Sequence, residues 1–188
     1  MPILYAQRLR LRASEREDIP LFLKWVNDPE VCEFLEHYTV LNRIHEEAWF
    51  ESVSSGPRME LPLVIEIHQP DSDNWTPIGN LSFMNVHPVH RSAEIGIMIG
   101  EKHYWDQGYG TEAMRRMCKY GFEELNLHRI FLRVFEGNER GKNAYRKVGF
   151  VYEGTMRQAR YHQGCYWDVD FMSIIKSDWV SNSKEVRK

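Results

Sequence analysis

Between Ala93 and Leu125 the apolar residues change period, and that change constrains the fold more than any other feature of the chain. Ala93, Ile95, Ile97 and Ile99 alternate with Glu94, Gly96 and Met98, the period of a strand. After Gly108-Tyr109-Gly110, apolar groups at Ala113, Met114, Met117, Cys118, Phe122 and Leu125 recur at helical spacing. A strand feeding a helix through a glycine-rich loop belongs to a layered α/β architecture. The loop also carries chemistry. Glycine has no Cβ to keep an anion away from the backbone. The first N–H groups of a helix lack intrahelical partners, and the helix dipole adds about half a positive charge there. Gln107 to Thr111, with Gly108, Tyr109 and Gly110 between them, therefore read as a pyrophosphate cradle, although an ordinary tight turn also uses Gly-x-Gly.

The flanking patterns extend the α/β reading. Leu9 and Leu11 alternate with Arg8, Arg10 and Arg12, which predicts a half-exposed first strand. Asp18 and Pro20 open a short helix through Trp25 and Val26 that Asn27-Asp28-Pro29 stops, and Val31, Phe34 and Leu35 predict another turn or two. Asn42 is placed to cap a helix ending near Ser54-Ser55-Gly56-Pro57. Leu63, Ile65 and Ile67 alternate, and the turn cluster Gln69 to Asn74 joins them to the run Ile78–Asn85 as a hairpin. Ile130, Leu132 and Val134 predict a strand, Ala144, Tyr145 and Val148 a helix closed by Gly149. Val151–Tyr161 and Cys165–Ile175 flank His162-Gln163-Gly164 as a final hairpin. The expectation is one α/β domain over 1–188, without linker or internal repeat.

Charge and cysteine usage narrow the classes. A formal net charge of −3 lacks the basic surplus of a nucleic-acid binder. Cys32, Cys118 and Cys165 form no C-x-x-C pair and read as buried thiols of a reducing compartment. No run approaches the ~18–20 apolar residues that cross a bilayer, and the first residues reach Arg8 without a signal-peptide pattern. The expectation is a cytoplasmic protein with no membrane or nucleic-acid partner.

A dinucleotide fold would place glycine at position 113, which is Ala, and a P-loop would need Gly-Lys-Ser/Thr, which is absent. The chain carries instead a second block, Gly137-Asn138-Glu139-Arg140-Gly141-Lys142-Asn143-Ala144-Tyr145-Arg146-Lys147-Val148-Gly149-Phe150. Together with Ile97 to Ala113, it resembles the acetyl-CoA-binding motifs of the GNAT superfamily of N-acetyltransferases. Asn27-Asp28-Pro29-Glu30-Val31 and Gly164-x-x-Trp-Asp168 are similar to the branch with ribosomal-protein N-terminal and polyamine acetyltransferases. The resemblance covers most of the chain and is loose over 30–60.

The resemblance implies a GNAT fold, a mixed sheet of about six to seven strands with interleaved helices. It implies acetyl-CoA as co-substrate, a primary amine as acceptor (protein N-terminus, polyamine or another small amine) and, at family level, a homodimer. The backbone of Met98 and Ile99 would pair with the pantetheine arm, and Asp106 to Thr111 would hold the pyrophosphate through backbone N–H groups. Asn138 would bond the pantetheine or acetyl end, and Tyr145 would place its hydroxyl by the sulfur. Trp105 departs from the Gln or Arg common in the wider superfamily, and Gly141 from a commoner Ser or Ala.

Acyl transfer to an amine needs a neutral nucleophile and a protonated leaving thiol. Deprotonating a lysine-like amine of pKa ~10.4 at pH 7 costs roughly 4–5 kcal/mol, an α-amino group only about 1–1.5 kcal/mol. Glu94, on the cofactor-binding strand, is the candidate base; the alternative is that it pairs with Arg91 or another cation. Tyr145 is the candidate acid, the alternative being a core tyrosine. His87 and His90 read as loop surface, and no clustered ligands support a metal. Asp168 and Asp170 would attract a cation or simply be solvated. Trp25, Phe34, Tyr38, Trp49 and Phe50 are core or an acceptor pocket. Two rival classes stay open: an acyl-CoA-binding module without catalysis, and a nucleotide-binding regulator.

Overall fold

The computed structural model describes residues 3–36, 39–69 and 74–185. Tyr38 and the turn residues 70–73 lie outside the described residues. In chain order the strands are β1 (Leu4–Tyr5), β2 (Leu9–Ala13), β3 (Leu63–His68), β4 (Trp75–His87), β5 (Ser92–Ile99), β6 (Arg129–Phe135), β7 (Val151–His162) and β8 (Cys165–Ile175). The helices are α1 (Ile19–Val26), α2 (Pro29–Cys32), α3 (Arg43–Ser55), α4 (Tyr109–Lys119), α5 (Glu139–Val148) and α6 (Lys176–Glu185). The strands form one eight-stranded sheet in the order β1-β2-β3-β4-β5-β6-β8-β7. Its pairs are antiparallel except β5–β6, which are parallel.

Two apolar clusters cover the sheet. Met114, Met117 and Cys118 of α4 pack with Leu11, Ile65, Ile95 and Ile130 on one face. On the other, Phe22 and Trp25 of α1 pack with Val64 and Met98. An eight-residue helix is marginal by itself. Complete burial of two aromatic side chains contributes about 1.5–3 kcal/mol or more each, so tertiary packing holds α1. Asn42 caps α3, its Oδ1 accepting from the N–H of His45 at 3.1 Å. Gln163 (φ 49°) and Gly164 (φ 83°) make the two-residue β7–β8 turn, both in the left-handed region that such hairpins require.

The structure corrects several expectations. The sheet has eight strands, not six to seven, because β1 is a two-residue strand without its own periodicity. The helix α6 follows β8 and was not predicted. Phe34 and Leu35 stand beyond α2, which ends at Cys32. On β3 the alternation does not separate buried from exposed residues, since helices cover both faces: Val64 and Glu66 are buried beside Leu63, Ile65 and Ile67. Arg10 and Arg12 of β2 are likewise not solvated charges. Both donate to Glu66, at 2.6 and 2.8 Å, and Arg12 also donates to Asp18 at 2.7 Å. Among the described residues no helix is long and apolar enough to cross a membrane.

Candidate active site

The site begins where two strands part. The parallel strands β5 and β6 are paired only at Ser92–Arg129, Ala93–Ile130 and Glu94–Phe131. Beyond Glu94, β5 continues to Ile99 beside β4, but no strand among the described residues lies along its other edge. Such an edge presents N–H and C=O groups that can pair with an extended ligand, and of these the Ile99 carbonyl already accepts from Trp105 Nε1 at 2.8 Å. The gap opens into a cavity of about 330 Å³. Ile97, Met98 and Ile99 line one wall, the start of α4 the end, and Asn138, Arg140 and Tyr145 the other wall.

Local sequence shapes the α4 end. Gly108 precedes the helix with φ 82°, a conformation that costs other residues about 1–2 kcal/mol. A Cβ there would meet only ordinary contact, Arg8 Nη2 at 3.4 Å, so the requirement for glycine is conformational, not steric. Asp106 also has positive φ, 59°. Arg8, immediately before β2, braces this turn. Its Nη1 donates to the Gln107 carbonyl at 3.1 Å, its Nε to Glu112 Oε2 at 2.7 Å, and its guanidinium lies 4.5 Å from the Tyr109 ring centre.

On the opposite wall Asn138 is the N-cap of α5, its Oδ1 accepting from Gly141 N–H at 2.9 Å. Its amide N–H groups have no acceptor among the described residues. Gly141 makes this possible: a Cβ at 141 would come within 2.8–2.9 Å of the Asn138 side chain. Tyr145, two turns along, packs its ring 6.2 Å from Phe150. Burial pushes its hydroxyl up to about 12, while the positive charge of Arg140 acts in the opposite direction. At neutral pH Tyr145 is therefore a hydrogen-bond donor.

The predicted site residues thus line a single cavity, with the exceptions of Gln107 and Glu94. Gln107 turns its side chain back onto the His103 carbonyl at 2.6 Å. Glu94 is buried on the α1 face of the sheet, accepting from Arg133 Nε at 2.7 Å and Asn85 Nδ2 at 2.9 Å. Arg133 also reaches Glu36 with both terminal nitrogens at 3.2 Å, and its pKa is raised chiefly by the Glu94 bond. Sequence reasoning named Arg91 as a possible partner and missed Arg133, which no local pattern links to Glu94.

The remaining candidates divide. Asp168 and Asp170 are internal acceptors: Asp168 takes the Gln158 N–H, and Asp170 takes Lys142 Nζ at 2.8 Å and the Thr155 hydroxyl. Trp25 and Phe50 are core, Trp49 is partly exposed against Phe22, and Phe34 lines the cavity. His87 and His90 stack on each other at 4.1 Å in the exposed β4–β5 turn. Among the described residues no group of three or more His, Cys, Asp or Glu is placed to hold a metal. Sequence reasoning also missed Arg140, whose only signal was its place beside Asn138.

Residues 8–151 match the acetyltransferase (GNAT) domain family. The chain is 30% identical to a spermidine N(1)-acetyltransferase of Vibrio cholerae, over 94% of this chain and 98% of that protein. It is 27% identical to the spermidine N(1)-acetyltransferase of Escherichia coli K12, over 95% of this chain and 92% of that one. The crystal structure of spermidine N-acetyltransferase from Vibrio cholerae in complex with CoA and spermine superposes with a TM-score of 0.84 at 27% identity, covering 92% of this chain and 98% of that one.

Proposed function

The chain belongs to the GNAT acetyltransferase family and is an acetyl-CoA-dependent N-acetyltransferase acting on an amine; on that premise we propose that its acceptor is a primary amine of a polyamine-like aliphatic polycation. The observation that carries the catalytic reading is the parting of β5 from β6. One cavity thereby receives a strand edge, a helix N-terminus, the cap residue Asn138 and a phenol. Full-length likeness to two spermidine acetyltransferases supports the polyamine acceptor. So does the charge beside the parting strands, where Glu36 and Glu94 face one cation, Arg133.

The residues present fit acetyl-CoA. The open edge of Ile97–Ile99 offers backbone pairing for the pantetheine arm, and Asp106–Thr111 offers N–H groups and a dipole end for the pyrophosphate. When bound, the thioester supplies an activated acetyl carbon and a thiolate leaving group. Asn138 holds the arm through its free amide N–H groups. Tyr145 donates its hydroxyl hydrogen toward the sulfur. With a phenol near 12 and a thiol of pKa ~8.5, complete proton transfer is uphill by roughly 4–5 kcal/mol, so Tyr145 acts first by hydrogen bonding. Glu94, which does not line the cavity, is the proposed acceptor of the amine proton through water, with Arg133 compensating its buried charge.

We read the whole chain, 1–188, as one domain working in the cytoplasm without metal, membrane or nucleic acid. If it forms a homodimer, the edge strand β7 and its hairpin leave Tyr152, Tyr161 and Tyr166 exposed for contact. An acceptor panel of polyamines, peptides with free N-termini and aminoglycosides, read by CoA release, tests the acceptor. Polyamine turnover well above the other classes is expected, and preference for peptide N-termini would overturn the assignment. CoA binding without turnover on any amine would leave a binding module instead.

A further inference from the structure

Arg140 stands in the first turn of α5, where the helix dipole disfavours a cation. It makes no ion pair among the described residues. Lys102 is matched by Asp28 and Glu30, Lys142 by Asp170 and Arg8 by Glu112, whereas Lys147, which lines the same cavity, also makes no ion pair among the described residues. Arg140 instead lays its guanidinium 3.7 Å from the ring centre of Trp105. That indole is fixed in turn, its Nε1 donating to the Ile99 carbonyl at 2.8 Å. Trp105 immediately precedes the cradle at 106–111 and follows β5, whereas Arg140 belongs to the wall that follows β6. The pair therefore bridges the two walls of the cavity. The N-termini of α4 and α5 both open into that cavity, so the uncompensated guanidinium adds its charge to two positive dipole ends. The guanidinium is exposed, so an anion entering the cavity can reach it for a charge-assisted hydrogen bond.

We propose that Arg140, seated on Trp105, is an arm that closes over the pyrophosphate of the acyl-CoA donor and selects phosphate-bearing thioesters over shorter ones. This rests on acyl-CoA being the donor. The position also explains why Trp serves at 105: a flat π face holds a guanidinium that arrives from another element, while the backbone of 106–111 supplies the neutral donors.

The test is calorimetric titration of CoA, dephospho-CoA and pantetheine into wild type and R140M, whose unbranched stem still covers Trp105. R140M should weaken CoA and dephospho-CoA by about ten- to a hundredfold, the range for a charged hydrogen bond, and leave pantetheine unchanged. The salt dependence of CoA binding should also become shallower in the variant. Equal CoA affinity in the two proteins overturns the proposal, as does an equal loss for pantetheine. A penalty seen with CoA and absent with dephospho-CoA moves the contact to the ribose phosphate and overturns the pyrophosphate assignment. Wild type that binds no CoA at all would instead sink the donor reading on which the proposal stands.

Discussion

Glu94 faces Phe131 in the last rung of the parallel β5–β6 pair, and beyond that rung the two strands share no register. Everything in the cavity follows from this parting. Had β6 stayed paired to the end of β5, the edge of Ile97–Ile99 would be satisfied by another strand and closed to a ligand.

The conformation of Gly108 makes a graded test of the cradle. Gly108→Val places a β-branched residue at φ 82° and should raise the acetyl-CoA dissociation constant at least tenfold. Gly108→Asn should lose less, because asparagine enters the left-handed region more readily. Circular dichroism should show both folded, since space is not limiting at this position. Unchanged affinity in a folded valine variant would count against the cradle.

Tyr145→Phe keeps the ring against Phe150 and removes only the hydroxyl. We expect kcat to fall roughly 10²–10⁴-fold with acetyl-CoA affinity little changed. Burial that lifts the hydroxyl to about 12 also fixes a sign: the donor form persists as pH rises, so Tyr145 contributes no loss of kcat through the ordinary tyrosine range near ~10. A wild-type alkaline limb near pH 10 that disappears in the phenylalanine variant would contradict that placement.

The ion pair of Glu94 with Arg133 separates two roles for the carboxylate. If Glu94 accepts the amine proton, Glu94→Gln should depress kcat/KM most near neutral pH. The deficit should shrink as rising pH deprotonates an amine of pKa ~10 without help. Adding Arg133→Met should not restore activity. If Glu94 is only a counter-ion of Arg133, the single variant leaves that cation with Glu36 alone and the double variant recovers both stability and turnover. The pH–rate profiles of the three proteins distinguish these results.

A buried guanidinium holds the segment that supplies Phe34 and Glu36. The β7 bulge around Gln158 (φ 53°) turns Arg160 inward, where its Nη2 donates to the carbonyls of Glu33 at 2.8 Å and Leu35 at 3.1 Å, over the Phe135 ring. Arg160→Met should release this segment and raise the acceptor KM several-fold, leaving the acetyl-CoA dissociation constant near wild type. Stability should fall by no more than about 1–3 kcal/mol for the lost bonds, because Arg160 Nε and Nη1 are buried without partners among the described residues and their removal offsets part of the loss. A parallel loss of acetyl-CoA affinity would mean that the segment belongs to the donor site.

The period change at 93–125, the cap at Asn42, the closure by Gly149 and the glycine at 108 were legible in the sequence because each is a local matter: side-chain direction, a cap or a φ value decides it within a few residues. The same locality made the motif residues 106–111, 138 and 145 visible. Tertiary structure alone decided what those residues face. Ile95–Ile99 and Ile130–Val134 alternate alike, and nothing in either run says that their pairing ends at Glu94 and Phe131. The Arg140–Trp105 stack, the Glu94–Arg133–Glu36 chain and the Arg160 tether join residues far apart in sequence, and each rests on a long side chain that reads locally as solvated charge. Arg10 and Arg12 behave the same way, looking like the wet side of a strand while Glu66 waits beneath them. Charge is long-ranged and side chains such as arginine are flexible, so the partner is set by which strands and helices the sheet order brings together, not by sequence neighbours.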